Sequence, residues 1–387
     1  MSTLSAPATD TAIPAFDLRG FARRAAIPAV LAAVIATVVI AAGGPLQAFA
    51  DAIRRAVDAD PRWVAIAAVS ELLSFGGYIA LLWLVGGRAT ERLGLRESAQ
   101  VTMGGAAATR LLPTAGVGGA ALTLWALRRT AMGTRQATQT LMTFLITLYS
   151  VFLMGIIASG TALALGLAHR EGPLALSVVP AAGAAFVLLF HLALAARAPR
   201  EDATGRFGTA ANMLGEAVRD GLRLARSADP RMLGAIAWWA CDAAVLWAML
   251  HAFGAPPSLA VLALAYFVGQ VGNTIPVPGA VSGGMVGILV AFNVPADLAL
   301  VSVFAYRAVA IWLPAPIGLV ALSGLRQTIA RWGREDEGLE PASAEPASTE
   351  PTPAERTPAE RTRVARNPVA VPTLTGPFPE RAVPIAA

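Results

Sequence analysis

Long apolar stretches that alternate with arginine clusters dominate this sequence. A helix rises 1.5 Å per residue, so about 20 apolar residues cross a hydrocarbon core of about 30 Å. Six stretches meet this requirement: 25–50, 63–85, 137–168, 174–196, 232–253 and 298–325. The pattern predicts an all-α integral membrane protein with about six full transmembrane helices.

Arginine supplies every basic residue of the chain and predicts its orientation. The arginines cluster between the apolar stretches, at 19–24, 88–96, 128–135, 197–231 and 326–334. All these clusters face one side if both termini are cytoplasmic, as the positive-inside rule requires. The predicted location is the cytoplasmic (inner) membrane, with multiple passes. The first stretch ends in a small-residue pattern typical of signal-peptide cleavage, so it is either removed or kept as a span.

Two further apolar segments have lengths that favour hairpins. Residues 98–127 begin and end among arginines, and their arms of about 14 residues reach only about 21 Å, so they must enter and return. Residues 258–294 carry no charge and must fold back around Pro276 and Pro278. This second segment forms either a re-entrant hairpin or two thin full spans.

The composition is that of a membrane protein, and the two terminal segments differ from the rest of the chain. The chain is 56% hydrophobic and 14% charged, with a mean hydropathy of +0.60. The composition of residues 1–18 predicts a disordered N-terminal segment. The composition of residues 331–387 predicts a disordered Pro/Glu/Arg-rich cytoplasmic tail. Residues 200–229 predict an amphipathic helix, either on the anionic leaflet or as a solvated linker.

The predicted transmembrane domain, 19–330, contains an internal pattern. Pro-x4-Gly-Gly occurs once in each hairpin, each hairpin follows the second span of a three-span set, and each of those spans carries one acid. The halves, about 19–168 and 173–330, would enter the membrane from opposite sides. The sequence therefore predicts an inverted 3+3 repeat.

Broken helices at matching places of inverted halves point to a transporter's binding site. Proline and glycine leave backbone N–H and carbonyl groups there without helical hydrogen bonds. This is tolerated where protein or a water-filled cavity satisfies those groups. The alternative is that these residues only kink packed helices. The candidate substrate-binding residues of the two hairpins are Pro113, Gly118, Gly119, Pro276, Pro278, Gly279, Gly283 and Gly284.

Four charged residues lie inside apolar stretches: Glu71, Arg110, Asp242 and Arg307. Each costs roughly 2.5 to 3.5 kcal/mol at mid-bilayer, so we expect them to approach one another around one cavity. Arg110 and Arg307 are candidate phosphate contacts, because a guanidinium stays charged and binds phosphate through two parallel hydrogen bonds. Glu71 and Asp242 are candidate counter-ions or proton sites. Structural ion pairs are the alternative.

No motif for nucleotide, metal, thiol or serine chemistry occurs in the sequence, and the single cysteine, Cys241, excludes an internal disulfide. We therefore expect a protein that is not an enzyme and uses no cofactor or metal. Nucleic acid is not an expected partner.

Three motifs in order resemble the flippase-like transmembrane region of lysylphosphatidylglycerol synthase and its stand-alone relatives. They are the segment from Arg110 through Gly119 with Trp125, Arg128 and Arg129 downstream, then Ile275-Pro-Val-Pro-Gly, then Tyr306-Arg307 with Trp312-Leu-Pro314. The resemblance covers about residues 20–330. It implies carriage of a phospholipid across the membrane.

The sequence departs from that family in two respects. Residues 331–387 do not resemble the aminoacyltransferase domain of the fused synthases, so we do not expect synthase activity to carry over. Members commonly have a glutamate in the loop after Pro-x-Pro-Gly, where this chain has Ala280-Val-Ser-Gly-Gly. If transport needs that glutamate, we expect either that another acid, such as Asp242, replaces it or that the activity is altered.

The leading prediction is a lipid flippase-like transporter that moves an anionic headgroup across the cytoplasmic membrane. Its partners would be membrane lipids, either anionic phospholipid or polyprenyl phosphate. One alternative is a secondary transporter of a small anionic solute. The other is a non-transporting membrane scaffold that docks partners through its Pro-rich tail.

Overall fold

A computed structural model describes residues 59–111, 117–168, 172–197, 205–275, 277 and 279–339. The predicted N-terminal segment and first span, as well as Pro113, Pro276 and Pro278, lie outside these residues. The described elements are all helical. They are α1 Pro61–Gly87, α2 Leu95–Leu111, α3 Val117–Arg128, α4 Thr134–Ala164, α5 Leu174–Ala196, α6 Arg206–Arg226, a 3-10 turn Pro230–Met232, α7 Leu233–Phe253, α8 Leu259–Val271, a 3-10 turn Gly272–Thr274, α9 Ala280–Ala291, α10 Ala296–Trp312 and α11 Pro314–Leu339.

The structure confirms the five predicted spans that fall within the described residues. Candidate spans run over Pro61–Gly87, Thr134–Ala164, Leu174–Ala196, Pro230–Phe253 and Ala296–Asp336. The chain is therefore a multi-pass, all-helical membrane protein. The last of these stretches contains α10 and α11, which are joined through Leu313 in helical geometry. Pro314 follows and lacks the N–H that would continue the ladder, so the stretch is divided there.

Both hairpins have arms shorter than a span. α8 has 13 residues and α9 has 12, which gives lengths of about 20 Å and 18 Å. α2 and α3, with 17 and 12 residues, reach about 26 Å and 18 Å. Each arm falls short of about 30 Å, which agrees with the predicted hairpins. The choice between a re-entrant hairpin and two thin spans over 258–294 stays a prediction.

The centre of the described bundle is the antiparallel pair α1 and α7. A Cβ at Gly77 would come within 2.6 Å of the Gly234 carbonyl oxygen, so only glycine permits this close approach. At the other end of the pair, the rings of Trp63 and Trp247 meet edge to face, with centroids 5.2 Å apart. Small residues at such a contact are the usual way in which membrane helices approach closely.

Helix α6 packs against two neighbouring helices. It contacts α4 and α5, and its apolar residues Ala217, Val218 and Leu224 are buried. The guanidinium of Arg219 donates to the Ala195 carbonyl at 3.1 Å and so caps the end of α5. The neighbouring helices cover part of the apolar face, whereas Phe207 is 94% exposed. Both interpretations of 200–229, on the anionic leaflet or as a solvated linker, therefore stay predictions.

The chain divides after Gly333 into two units, 1–333 and 334–387. Helix α11 continues to Leu339, so residues 331–339 of the predicted tail are helical. No proline or glycine pair interrupts the chain between Pro316 and Leu339, which explains why the helix extends past the predicted boundary. Residues 340–387 lie outside the described residues.

Candidate functional site

A buried polar cluster surrounds Asp242 in the middle of α7. Asp242 is 2% exposed, and its Oδ2 accepts hydrogen bonds from three neutral donors. The Tyr266 hydroxyl of α8 is one, the Gln270 amide of α8 donates at 3.1 Å, and the Tyr306 hydroxyl of α10 donates at 3.0 Å. The Gln270 amide also bonds the Tyr306 hydroxyl at 2.9 Å. The cluster thus joins three helices through one carboxylate oxygen.

The second carboxylate oxygen of Asp242, Oδ1, differs from Oδ2 in its hydrogen bonding. Oδ1 is buried and has no hydrogen-bond partner within the described residues. A buried acceptor left in this state costs about 1 to 3 kcal/mol, and more when it is charged. Oδ1 can therefore accept a proton, or a donor group of a ligand, without displacing any protein contact.

The cluster extends to the tip of the α8–α9 hairpin. Asn273 donates to the Gln270 amide oxygen at 2.6 Å, and the 3-10 turn that contains Asn273 leads into the Pro-x-Pro-Gly segment. Gly279 caps α9 in the left-handed region, with φ of 84°, a conformation that favours glycine. The candidate residue Gly279 is therefore required by the turn that starts α9.

Both hairpins close through a glycine–glycine contact at the second glycine of Pro-x4-Gly-Gly. A Cβ at Gly119 would come within 2.9 Å of the Gly105 carbonyl oxygen, and one at Gly284 within 3.1 Å of the Gly269 Cα. The first glycines differ, because Gly118 is buried whereas Gly283 is exposed. A Cβ at Gly283 would meet nothing within 4 Å. The two hairpins share this contact, and the inverted repeat stays a prediction.

The two buried acids lie at the same level of the bundle. The Ser74 hydroxyl of α1 donates to the Trp238 carbonyl of α7 at 2.9 Å, which fixes the register of this antiparallel pair. Glu71 lies three residues before Ser74, and Asp242 lies four residues after Trp238, so both are about one turn to the same side of this contact. Glu71 is 0% exposed.

Of the two arginines of the predicted site, Arg307 is described, and it does not share the buried position of Glu71 and Asp242. Arg307 follows Tyr306 on α10 and is half-buried. Its guanidinium makes no ion pair with Glu71 or Asp242 within the described residues, and the carboxylate of Asp242 is held by neutral donors instead. The expected ion pair between Arg307 and a buried acid is therefore not formed in this structure. Arg110 lies in the last turn of α2, and its side chain is outside the described part of the chain.

Sequence reasoning missed most of the residues that hold Asp242. Tyr266, Gln270 and Asn273 were not singled out, and Tyr306 appeared only within a motif. A signal was available, because Gln270 and Asn273 are amides three residues apart in a segment without charges. Polar side chains of this kind form hydrogen bonds between helices when they lie in a membrane.

Comparison with protein-family models matches residues 26–318 to the lysylphosphatidylglycerol synthase TM region. The chain belongs to this family. The match begins within the first predicted span and ends in α11, so it includes both hairpins and the Asp242 cluster. A search of curated proteins gave no significant match. Membership in the lysylphosphatidylglycerol synthase TM family agrees with a membrane protein linked to lipid handling.

Proposed function

We propose that this protein moves the phosphate-bearing headgroup of an anionic lipid across the membrane, beside the α8–α9 hairpin. The observation that carries the proposal is Arg307, a half-buried arginine in a membrane-spanning helix, without an ion pair among the described residues. A charge in such a place is costly and usually marks a substrate pathway. A phosphodiester or phosphate group would supply the missing anion through two parallel hydrogen bonds.

The hairpin provides the neighbouring part of the path. Helix α9 packs against α10, which carries Arg307. The Ala280 N–H already donates to the Val277 carbonyl at 3.1 Å. The start of α9 has no side-chain cap, so its helix dipole and the N–H groups that follow favour an anion. Irregular backbone at membrane depth is tolerated where it lines a cavity.

Asp242 supplies the acid of this site, as a counter-ion or a proton site. Its Oδ2 ties α7 to α8 and α10, while Oδ1 remains available to a donor. This placement beside the Pro-x-Pro-Gly hairpin suits Asp242 to replace the glutamate that the hairpin loop lacks. In the proposal, Asp242 holds the hairpin through Oδ2 and responds to the substrate or a proton through Oδ1.

The proposal is tested in proteoliposomes that hold a trace of fluorescent anionic phospholipid. Dithionite should bleach the inner-leaflet label faster with the full chain present than in empty liposomes. A panel that includes phosphatidylglycerol and a polyprenyl phosphate should be run, because each probe tests one headgroup only. If no lipid of the panel moves faster while a small organic phosphate accumulates inside, solute transport replaces the proposal. If neither moves, a scaffold role replaces it.

A further inference from the structure

The side chain of Gln270 uses both ends of its amide inside the Asp242 cluster. Gln270 is 9% exposed. Its amide nitrogen donates to the Tyr306 hydroxyl at 2.9 Å and to Asp242 Oδ2 at 3.1 Å. Its amide oxygen accepts from the Asn273 amide at 2.6 Å. A primary amide has two N–H groups, so both donors of Gln270 are engaged with residues of α7 and α10.

The orientation of the Gln270 amide is set by Asp242. The Tyr306 hydroxyl gives its one hydrogen to Asp242 Oδ2, so the hydroxyl oxygen is the acceptor toward Gln270. If the Gln270 amide were turned over, its oxygen would face the Asp242 carboxylate and its nitrogen would face the Asn273 amide nitrogen. Both contacts would then join like groups. The carboxylate therefore decides which end of Gln270 is turned toward Asn273.

Asn273 continues this path to the tip of the α8–α9 hairpin. It is exposed and belongs to the 3-10 turn Gly272–Thr274. The turn lies directly against the start of α9, because a Cβ at Gly272 would come within 2.7 Å of the Val281 backbone nitrogen. A displacement of Asn273 is therefore transmitted through the turn to the first residues of α9.

We propose that Gln270 is a positioning residue that couples the charge of Asp242 to the tip of the α8–α9 hairpin. The inference rests on the proposed function, in which the headgroup passes the start of α9. Hydrogen bonds to an ionised acceptor are about twice as strong as those between neutral groups. The ionised carboxylate thus holds Gln270, and with it Asn273 and the turn. Neutralisation of Asp242 weakens this hold and releases the tip.

Hydrogen–deuterium exchange of the full chain in lipid nanodiscs measures the coupling at the backbone amides of 271–283. Gln270→Met keeps a side chain of similar length and removes its hydrogen bonds, so exchange at the tip should rise roughly tenfold or more. Asp242→Asn keeps the shape and removes the charge, and it should raise this exchange by a smaller factor. Asn273→Ala removes only the exposed end of the path. It should also raise tip exchange, even if Gln270→Met lowers the stability of the whole chain.

The matched control is Gln100→Met. Gln100 is a similarly buried amide, 8% exposed, and it accepts a hydrogen bond from Thr328 at 2.8 Å between α2 and α11. Its replacement removes a buried hydrogen bond outside the second hairpin, so tip exchange should change less than twofold. Equal tip exchange in Gln270→Met and Gln100→Met would overturn the proposal.

A double variant separates coupling from a merely structural role of Gln270. Once Gln270 is methionine, Asp242→Asn should cause no further rise in tip exchange, because the path from the carboxylate is interrupted. Additive effects of the two substitutions would also overturn the proposal. Exchange is measured without transport, so the two proposals fail separately. The expected exchange pattern in a chain that flips no lipid contradicts only the proposed function, whereas flipping without this pattern contradicts only the positioning role.

Discussion

Asp242 is held in the membrane by neutral donors rather than by a cation. Two tyrosine hydroxyls and one amide share a single carboxylate oxygen. Hydrogen bonds to a charged group are each worth about 1.5 to 3 kcal/mol, so three of them offset much of the cost of burying the carboxylate. In the proposed function, this arrangement leaves Arg307 available to a substrate.

Removal of one of these donors should destabilise the fold. Tyr306→Phe keeps the ring and deletes the hydroxyl that donates to Asp242 at 3.0 Å. We expect a loss of about 1.5 to 3 kcal/mol in the free energy of unfolding, measured by denaturation in mild detergent. Tyr149→Phe is the control, because the Tyr149 hydroxyl makes no hydrogen bond within the described residues. Equal stability of the two variants would contradict the role given to the cluster.

A second residue-scale prediction concerns Asp229, outside the membrane-spanning segments. Its hydrogen bonds to the Arg231 side chain and backbone N–H lower the pKa of Asp229 to about 2. The unfolded value is about 3.9, so the stabilisation is complete above that pH and is lost as pH falls from about 4 to 2. A carbon-13 NMR titration should show this pKa, and Arg231→Gln should raise it. An Asp229 that titrates near 3.9 in the unsubstituted chain would refute the assignment.

At the residue scale, the sequence predicted which acids are buried but not their partners. Glu71 and Asp242 are conspicuous because ionisable residues are rare in apolar stretches. Tyrosine and glutamine have no such signal, since they occur both in lipid-facing belts and in helix contacts. Which of them reach Asp242 depends on the rotation of α8 and α10, and this is set by packing.

At the element scale, close glycine contacts hold the hairpins together. Gly269→Ala would place a Cβ within 2.9 Å of the Met285 backbone nitrogen, so the arms of the α8–α9 hairpin would have to separate. We expect a clear fall in thermal stability, of the order of 1 to 3 kcal/mol for overpacking.

The matched control for this change is Gly283→Ala. A Cβ at Gly283 meets nothing within 4 Å, and alanine is the better helix former, so stability should be unchanged or slightly higher. Differential scanning fluorimetry of both variants in the same detergent measures the difference. If Gly269→Ala is as stable as Gly283→Ala, the arms do not pack as described.

The elements themselves were largely predictable, because length and apolar runs decide which helices can cross a membrane. The five spans and both hairpins follow from that rule. The path of the second hairpin through the membrane was ambiguous from sequence, since 258–294 is long enough for two thin spans. Turns at Gly272–Thr274 and Gly279 shorten its arms to 13 and 12 residues, and such turn geometry is hard to locate in an apolar run.

At the scale of the whole molecule, we expect both termini on the cytoplasmic side. All the arginine clusters then share one side, in accordance with the positive-inside rule. Alkaline phosphatase, which is active only outside the cytoplasm, should be inactive when fused after Gly333. A fusion after Gly254, between α7 and α8, should be active and serves as the control. The reverse pattern would invert the topology.

The central claim is that a lipid headgroup passes Arg307. The most direct measurement is the initial rate of dithionite-accessible flipping in proteoliposomes, compared among the unsubstituted chain, Arg307→Ala, Arg307→Lys and Arg326→Ala. Arg307→Ala should slow flipping roughly tenfold or more, because it removes a charge-assisted contact, and Arg307→Lys should retain part of the rate. Arg326 is exposed on α11, so Arg326→Ala should match the unsubstituted rate. Equal flipping by Arg307→Ala and Arg326→Ala would contradict the claim.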